Sequence, residues 1–354
     1  MSEPVYILGV ESSCDETSCA VVADGRKVLT NVVASQVELH ARYGGVVPEI
    51  ASRAHIEAIN TVIAQALAEA GISPQQLAAV AVTHEPGLIG SLLVGLMAAK
   101  TLAWVWEVPL IGVNHIYAHA YAAALGEGDV EYPAAALICS GGHTALYRCD
   151  SPLEMQLLGT TIDDAAGEAF DKVASILNLG FPGGPVIDRA ARSGEAKAVK
   201  LPRSLLHGQS LDFSFSGLKT AALYHVNGVP TRPRGGMAAE QAPPRGIEQF
   251  TPQQVADLAA SFQAAVVDVL RIKLRRAAKA VGARTLILGG GVSANSALRA
   301  AAKELADQLG CRLRMPEMKY CMDNAAMIAG LGYHYLRAGR LAGLDLEARA
   351  TVRL

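Results

Sequence analysis

The 354-residue sequence predicts an α/β protein of two domains. Three observations lead there. At ~100–200 residues per domain, the length suits two. Apolar residues make up 51% of the chain and charged residues only 18%, so each half can bury a full core. Short apolar runs with strand character alternate with segments of helical spacing, and each half carries a hairpin with a small, hydroxyl-rich turn. The chain has 34 glycines and only 5% aromatic residues, which suits Ala/Leu/Val cores joined by tight turns. This composition excludes a disordered chain and a small disulfide-stapled scaffold.

The first hairpin pairs residues 5–10 with 19–22 across the polar turn 11–17, and Asp24-Gly25 closes the second run. A helix follows Pro48, with Ile59, Val62, Ile63, Ala66 and Leu67 at helical spacing and Gly71 as its stop. Residues 78–83 read as a strand. Pro86-Gly87 then opens a small-residue helix over 88–105. Residues 109–113 form another strand, and Asn114 is placed to cap a helix running through Ala124.

The second hairpin joins 135–139 to 145–149 through the turn Ser140-Gly141-Gly142-His143-Thr144. It repeats the first as a weak internal duplication. Thr251-Pro252-Gln253-Gln254 is a capping box with proline at the first helical position, and Gly282 ends that helix. A strand at 285–288, a Gly289-Gly290-Gly291 turn and a helix from Ser293 follow. The last helix is expected over 323–336. Residues 228–246, rich in Pro, Gly and Arg, read as a flexible insertion.

Charge and thiols narrow the function. The formal net charge is −2, so a nucleic-acid partner must use a local patch or a second protein. The basic run Arg271, Lys273, Arg275, Arg276 and Lys279 reads as a solvated helix face, with nucleic-acid contact as its alternative. The start has no basic n-region, and the most apolar stretch, 87–113, is broken by Lys100, Glu107 and Pro109. It is expected to be a buried helix, since a membrane span needs ~18 uncharged residues. The six cysteines form no CxxC pair. They read as reduced cytosolic thiols, with a Cys14–Cys19 bridge as the alternative.

The chemistry-bearing segments come next. His115 and His119, at i and i+4, share a helix face with Cβ atoms ~6 Å apart, so both imidazoles can reach one metal. A zinc peptidase needs Glu after the first His, and Ile116 stands there. Asp323 is either the oxygen ligand of that metal or an N-cap. Ser140-Gly141-Gly142 can form an anion nest, and Ser12–Asp15 occupies the equivalent turn of the first half. Gly289–Asn295 is a glycine turn leading into a helix. Phe181–Pro185 precedes a helix carrying Asp188. Both suit a nucleotide without being a Rossmann or P-loop signature.

These segments together resemble the bacterial branch of the tRNA adenosine threonylcarbamoyltransferase family, formerly described as O-sialoglycoprotein endopeptidases. The resemblance is carried by GVESSCDET at 9–17, GVVPE at 45–49, NHIYAH at 114–119 and SGGHT at 140–144. It continues through DDAAGEAFDK at 163–172, FSFSGLKT at 213–220, GGGVSAN at 289–295 and CMDNAAM at 321–327. It implies the actin-like ATPase and sugar-kinase fold, with two RNase H-like α/β domains around a nucleotide cleft. The implied boundaries are 1–116 with 325–354, and 117–324.

The implied reaction moves threonylcarbamoyl from threonylcarbamoyl-adenylate to N6 of the adenosine 3′ of the anticodon, in tRNAs reading codons that begin with A, and releases AMP. By the same resemblance His115, His119 and Asp323 hold a divalent metal, iron(II) with zinc as the alternative. Ile138, Cys139, Ser140, Gly141, Gly142, Asp171, Gly184, Asp188 and Asn295 match donor contacts, and Asp15 matches an acid needed for transfer. A paralogous partner subunit and a small P-loop ATPase are implied, with no membrane and a cytoplasmic location. Met322 and Cys139 depart from the family's usual threonine and valine without removing a ligand. A small-molecule kinase on the same fold and a non-catalytic scaffold are the rival readings.

Overall fold

The computed structural model describes residues 3–126, 128–206, 208–228 and 246–351. Nearly all of the predicted insertion at 228–246 lies outside them.

The first half runs β1 (Tyr6–Glu11), β2 (Glu16–Ala23), β3 (Lys27–Ser35), α1 (Val37–Ala41), α2 (Pro48–Ala70), β4 (Leu77–Glu85), α3 (Ile89–Val105), β5 (Leu110–Asn114) and α4 (His115–Tyr121). The second runs β6 (Ala134–Cys139), β7 (Thr144–Ser151), β8 (Glu154–Thr160), α5 (Ala166–Ile176), α6 (Gly183–Ala191), α7 (Ser216–Asn227), α8 (Pro252–Val281), β9 (Thr285–Gly289), α9 (Ser296–Leu309) and β10 (Arg312–Arg314). Helix α10 (Ala325–Arg337) closes the chain.

The strands make two five-stranded sheets, ordered β3-β2-β1-β4-β5 and β8-β7-β6-β9-β10. In each, three consecutive strands pair antiparallel and two later strands add parallel to the first. Order and sense match strand for strand, so the duplication read from the two hairpins is a duplication of whole sheets.

The first sheet is covered on both faces, because successive side chains of a strand point to opposite sides. Leu8 and Val10 of β1 pack with Ile59, Val62 and Ile63 of α2 and Leu96 of α3. Ile7 faces the other way, into the core built with Ala325, Met327 and Ile328 of α10. Gly9 is required there, because a Cβ would strike the α10 backbone at Ala325 and Ala329. In the second half, Leu137, Leu146, Phe170, Phe213 and Phe262 form the largest core.

Helix α4 belongs to both halves. Ala118 and Tyr121 enter the first core, while Ile116 and Ala120 pack on Ala136 and Ile138 of β6. Its histidines therefore sit at the seam between the sheets.

Several boundaries moved. Strand β2 starts at Glu16, so the first turn is shorter than expected. β3, a half-exposed edge strand, and β8 lie outside the predicted elements, because their mixed burial leaves no clean alternation. A 3₁₀ turn, Gly291–Ala294, precedes α9, which starts at Ser296 with Asn295 as cap. The capping box at Thr251 forms as expected, and Gly282 takes the left-handed conformation that ends α8. All six cysteines are unpaired, so the alternative Cys14–Cys19 bridge does not form. Among the described residues no helix is long and apolar enough to cross a membrane.

The basic run on α8 is corrected most sharply. Lys273 is wholly buried, and its Nζ donates to the carbonyls of Leu205 and Ser210. Arg276 donates to Leu206 O. These cations hold the 205–210 loop, so the run is neither a uniformly solvated face nor a free basic patch.

Candidate functional site

Asn114 starts α4 by accepting from the N–H groups of Ile116 and Tyr117. The helix then sets His115 and His119 edge to face, with ring centroids 4.5 Å apart. Asp323 does not cap α10; Asn324 does, accepting from Met327 N. Asp323 is left in the preceding loop, where its Oδ1 lies 3.0 Å from His119 Nε2 and 3.5 Å from His115 Nε2. The three ligand atoms all lie within 4.8 Å of one another.

A tetrahedral ion with bonds of ~2.0–2.2 Å has ligand–ligand edges of roughly 3.3–3.6 Å. The two measured separations are close to that, so this donor set fits a divalent metal. Imidazole with carboxylate suits iron or zinc better than calcium or magnesium.

Glu11, read from the sequence as the first residue of the polar turn and given no role in the chemistry, is the last residue of β1. Its buried carboxylate accepts from His115 Nδ1 (3.0 Å), Thr83 Oγ1 (2.6 Å) and Ser13 N (2.6 Å). This is the outer carboxylate expected behind a metal-binding histidine, directing Nε2 inward. His119 Nδ1 has no partner among the described residues.

Burial alone would push His115 down, but the carboxylates of Asp323 and Glu11 overcome it and raise the imidazole to about 9. Burial would raise Asp323, yet His115 and His119 hold it well below the usual carboxylate range. His119 is lowered by burial and by its charged neighbour His115. His143 falls to about 4 for the same two reasons, with His119 adding to them. Glu16 is pushed up to about 10 by burial and by Asp323 and Asp15.

His115 and Asp323 stand at one wall of a cleft of about 1150 Å³ between the two halves, with His119 buried behind them. Asp15, His115, Asp323, Ser140, Gly141, Gly142, Asp171, Gly184, Asp188 and Asn295 all line it. Gly141 and Gly142 have open space where a Cβ would be. Asp171 accepts from Gly183 N, which fixes the start of α6, and burial raises its carboxyl. Asp188 accepts from Asn295 Nδ2 and Ser296 Oγ, joining α6 to α9.

The model of the TsaD family, tRNA N6-adenosine threonylcarbamoyltransferase, matches residues 27–330. The chain belongs to this family. It is 54% identical over 342 residues to the tRNA N6-adenosine threonylcarbamoyltransferase of Symbiobacterium thermophilum, covering 97% of this chain and 95% of the relative. It is 52% identical over 358 residues to that of Thermomicrobium roseum, covering 99% and 97%.

Two solved structures share the fold at low identity. One is component A of the (R)-2-hydroxyglutaryl-CoA dehydratase of Acidaminococcus fermentans, with a TM-score of 0.51, 14% identity, and coverage of 94% and 99%. The other is HypF of T. kodakarensis, with a TM-score of 0.59, 13% identity, and coverage of 95% of this chain and 49% of that one. The fold is the actin-like ATPase and sugar-kinase fold that the resemblance implied.

Not every expected donor contact of the TsaD family meets the cleft in this member. The side chains of Ile138 and Cys139 are buried in β6, Ile138 against α4 and Cys139 in the core of the second half. Only their backbone can serve a ligand. His119 is nearly sealed, at 1% exposure, and reaches the site through Nε2 alone. Glu11, Glu16 and His143 are the site residues the spacing did not single out. Each lies within a quoted motif, and only the fold shows which carboxylate faces which imidazole.

Proposed function

We propose that this TsaD-family member transfers the threonylcarbamoyl group from threonylcarbamoyl-adenylate to N6 of the adenosine 3′ of the anticodon, in tRNAs reading codons that begin with A. AMP is the leaving group. The observation that carries the reading is the convergence of His115, His119 and Asp323 on one point of a cleft that Asp15 and the Ser140–Gly142 turn also line.

A divalent metal, iron(II) or zinc, held by His115, His119 and Asp323, would supply Lewis acidity toward the donor carbonyl. The residues do the rest. The glycine turn at 141–142 leaves room for the donor's phosphate close to the backbone, where N–H groups favour negative charge. Asp188 binds the ribose hydroxyls in this reading, which its bonds from Asn295 and Ser296 at the cleft wall support. N6 is a weak nucleophile because its lone pair is delocalised into the purine. Asp15 takes its proton as the new N–C bond forms and the bond from the carbamoyl carbon to phosphate oxygen breaks.

The domains proposed are 1–116 with 325–354, and 117–324. A paralogous subunit and a small P-loop ATPase are the proposed partners, in the cytoplasm. Peptidase chemistry is disfavoured by Ile116 at the position of the general base. A kinase reading has no use for the histidine pair.

The test is nucleoside mass spectrometry of unmodified tRNA incubated with donor, partners and wild type, Asp15→Asn or Asp323→Ala. Modified adenosine with wild type only, and near-normal donor binding by Asp15→Asn, is expected. Stoichiometric ADP formation on a small substrate would favour the kinase reading.

A further inference from the structure

We propose that His55 of α2 is a positioning residue for the Asp15 carboxylate. The inference rests on Asp15 being the group that takes the N6 proton. His55 is fully buried and far from the histidine pair in sequence, and no motif quoted for the family includes it. Its two ring nitrogens grip the Asp15 turn on both sides. Nε2 lies 3.0 Å from the carbonyl oxygen of Cys14, the residue before Asp15. Nδ1 lies 2.7 Å from Thr17 Oγ1, two residues after it.

One tautomer satisfies both contacts. A carbonyl only accepts, so Nε2 must carry the hydrogen. Nδ1 is then the acceptor, and the Thr17 hydroxyl donates to it. Burial lowers the pKa of this imidazole and so favours the neutral form that the pairing requires.

The rest of the turn is anchored elsewhere. Ser13 N donates to Glu11, Leu88 N donates to Ser13 O, and Gln36 N donates to Asp15 O. Without His55, nothing else among the described side chains holds the Cys14 carbonyl. The Cys14–Asp15 peptide would then lose its side-chain anchor on the Cys14 side, keeping the Gln36 bond on the Asp15 side, and the carboxylate could tilt with it. A displacement of ~1 Å at a reacting group can slow a reaction by about 100-fold.

The experiment compares His55→Ala, His55→Gln and Thr17→Val with wild type in the reconstituted transfer assay, with Asp15→Asn in parallel. His55→Ala should lower kcat about 10–100-fold while KM for the donor stays within about twofold. His55→Gln, whose amide N–H can reach the Cys14 carbonyl, should recover a large part of the loss. Thr17→Val keeps the packing and removes only the Nδ1 partner, so it should give a smaller loss of the same kind.

Wild-type kcat in His55→Ala overturns the proposal. So does a loss of kcat and donor affinity together that His55→Gln does not recover, which marks a structural role. If His55→Ala does not fold, an unchanged kcat in Thr17→Val overturns it. An active Asp15→Asn is a different result, and it defeats the reading of Asp15 itself.

Discussion

Replacing Glu11 by Gln changes one atom and should loosen the metal site. The carboxylate is fully buried and accepts three hydrogen bonds, from Ser13 N at Oε1 and from Thr83 Oγ1 and His115 Nδ1 at Oε2. Glutamine offers one oxygen and one NH₂. If the NH₂ replaces Oε1, it faces the Ser13 N–H, donor against donor, and the first turn must shift. If it replaces Oε2, the Thr83 hydroxyl can rotate to accept, but the NH₂ also faces His115 Nδ1, whose hydrogen then has Ser13 Oγ, 3.1 Å away, as its acceptor. Where Nδ1 accepts from the NH₂ instead, its proton moves to Nε2, the atom that faces Asp323, and that lone pair is lost to a metal. Either placement costs about 1–3 kcal/mol, the price of a buried unmatched polar group. Loss of an outer-shell partner to a ligating histidine typically weakens metal binding 10–100-fold, consistent with that range. Competition titration of the metal-free protein with Zn²⁺ against a chromophoric chelator reads the affinity directly, and circular dichroism confirms the fold. Affinity of Glu11→Gln within twofold of wild type would refute the argument that Glu11 sets the His115 tautomer.

Three further outcomes are expected. His115 titrates near 9 in the metal-free protein, so below that pH a metal must displace its proton; affinity in the same titration should rise about tenfold per pH unit and flatten above about 9. Gly95 lies on α3 where a Cβ would collide with Ser12 Oγ, which donates to Ser91 O and accepts from Gly95 N; Gly95→Ala should lose about 1–3 kcal/mol in urea unfolding, and adding Ser12→Ala should restore most of it. Lys273→Met strips the carbonyls of Leu205 and Ser210 of their donor and should cost about 1–3 kcal/mol, without altering donor affinity in a binding titration.

The sequence made the candidate ligands legible and their supports illegible, for a physical reason. His115 and His119 are neighbours on one short helix, so i,i+4 spacing alone puts them on a common face. Asp323 is 204 residues from His119, and spacing could not separate a ligand from an N-cap. Asn324, one residue later, took the cap because its side chain reaches Met327 N, and that released Asp323 to the site. The hairpin turns were visible because hydroxyl-rich turns between apolar runs are a local signal. β3 was not, because an edge strand buries only some of its residues and loses its alternation.

The basic run on α8 misled in the opposite direction. Lysine spacing reports where a helix surface points, but not what covers it, and the 205–210 loop covers Lys273. Glu11 shows the same limit at the site itself. In sequence it is the last residue of an apolar strand, where a carboxylate looks like the beginning of a turn. In the fold it touches both His115 and the backbone of the Asp15 turn, and Ser13 Oγ of that turn joins it at His115 Nδ1. The candidate ligand His115 and the Asp15 turn therefore meet at this side chain. A substitution there should disturb both, and one at Asp323 should act on the two histidines and, across no more than 4.8 Å, on the carboxylates of Asp15 and Glu16.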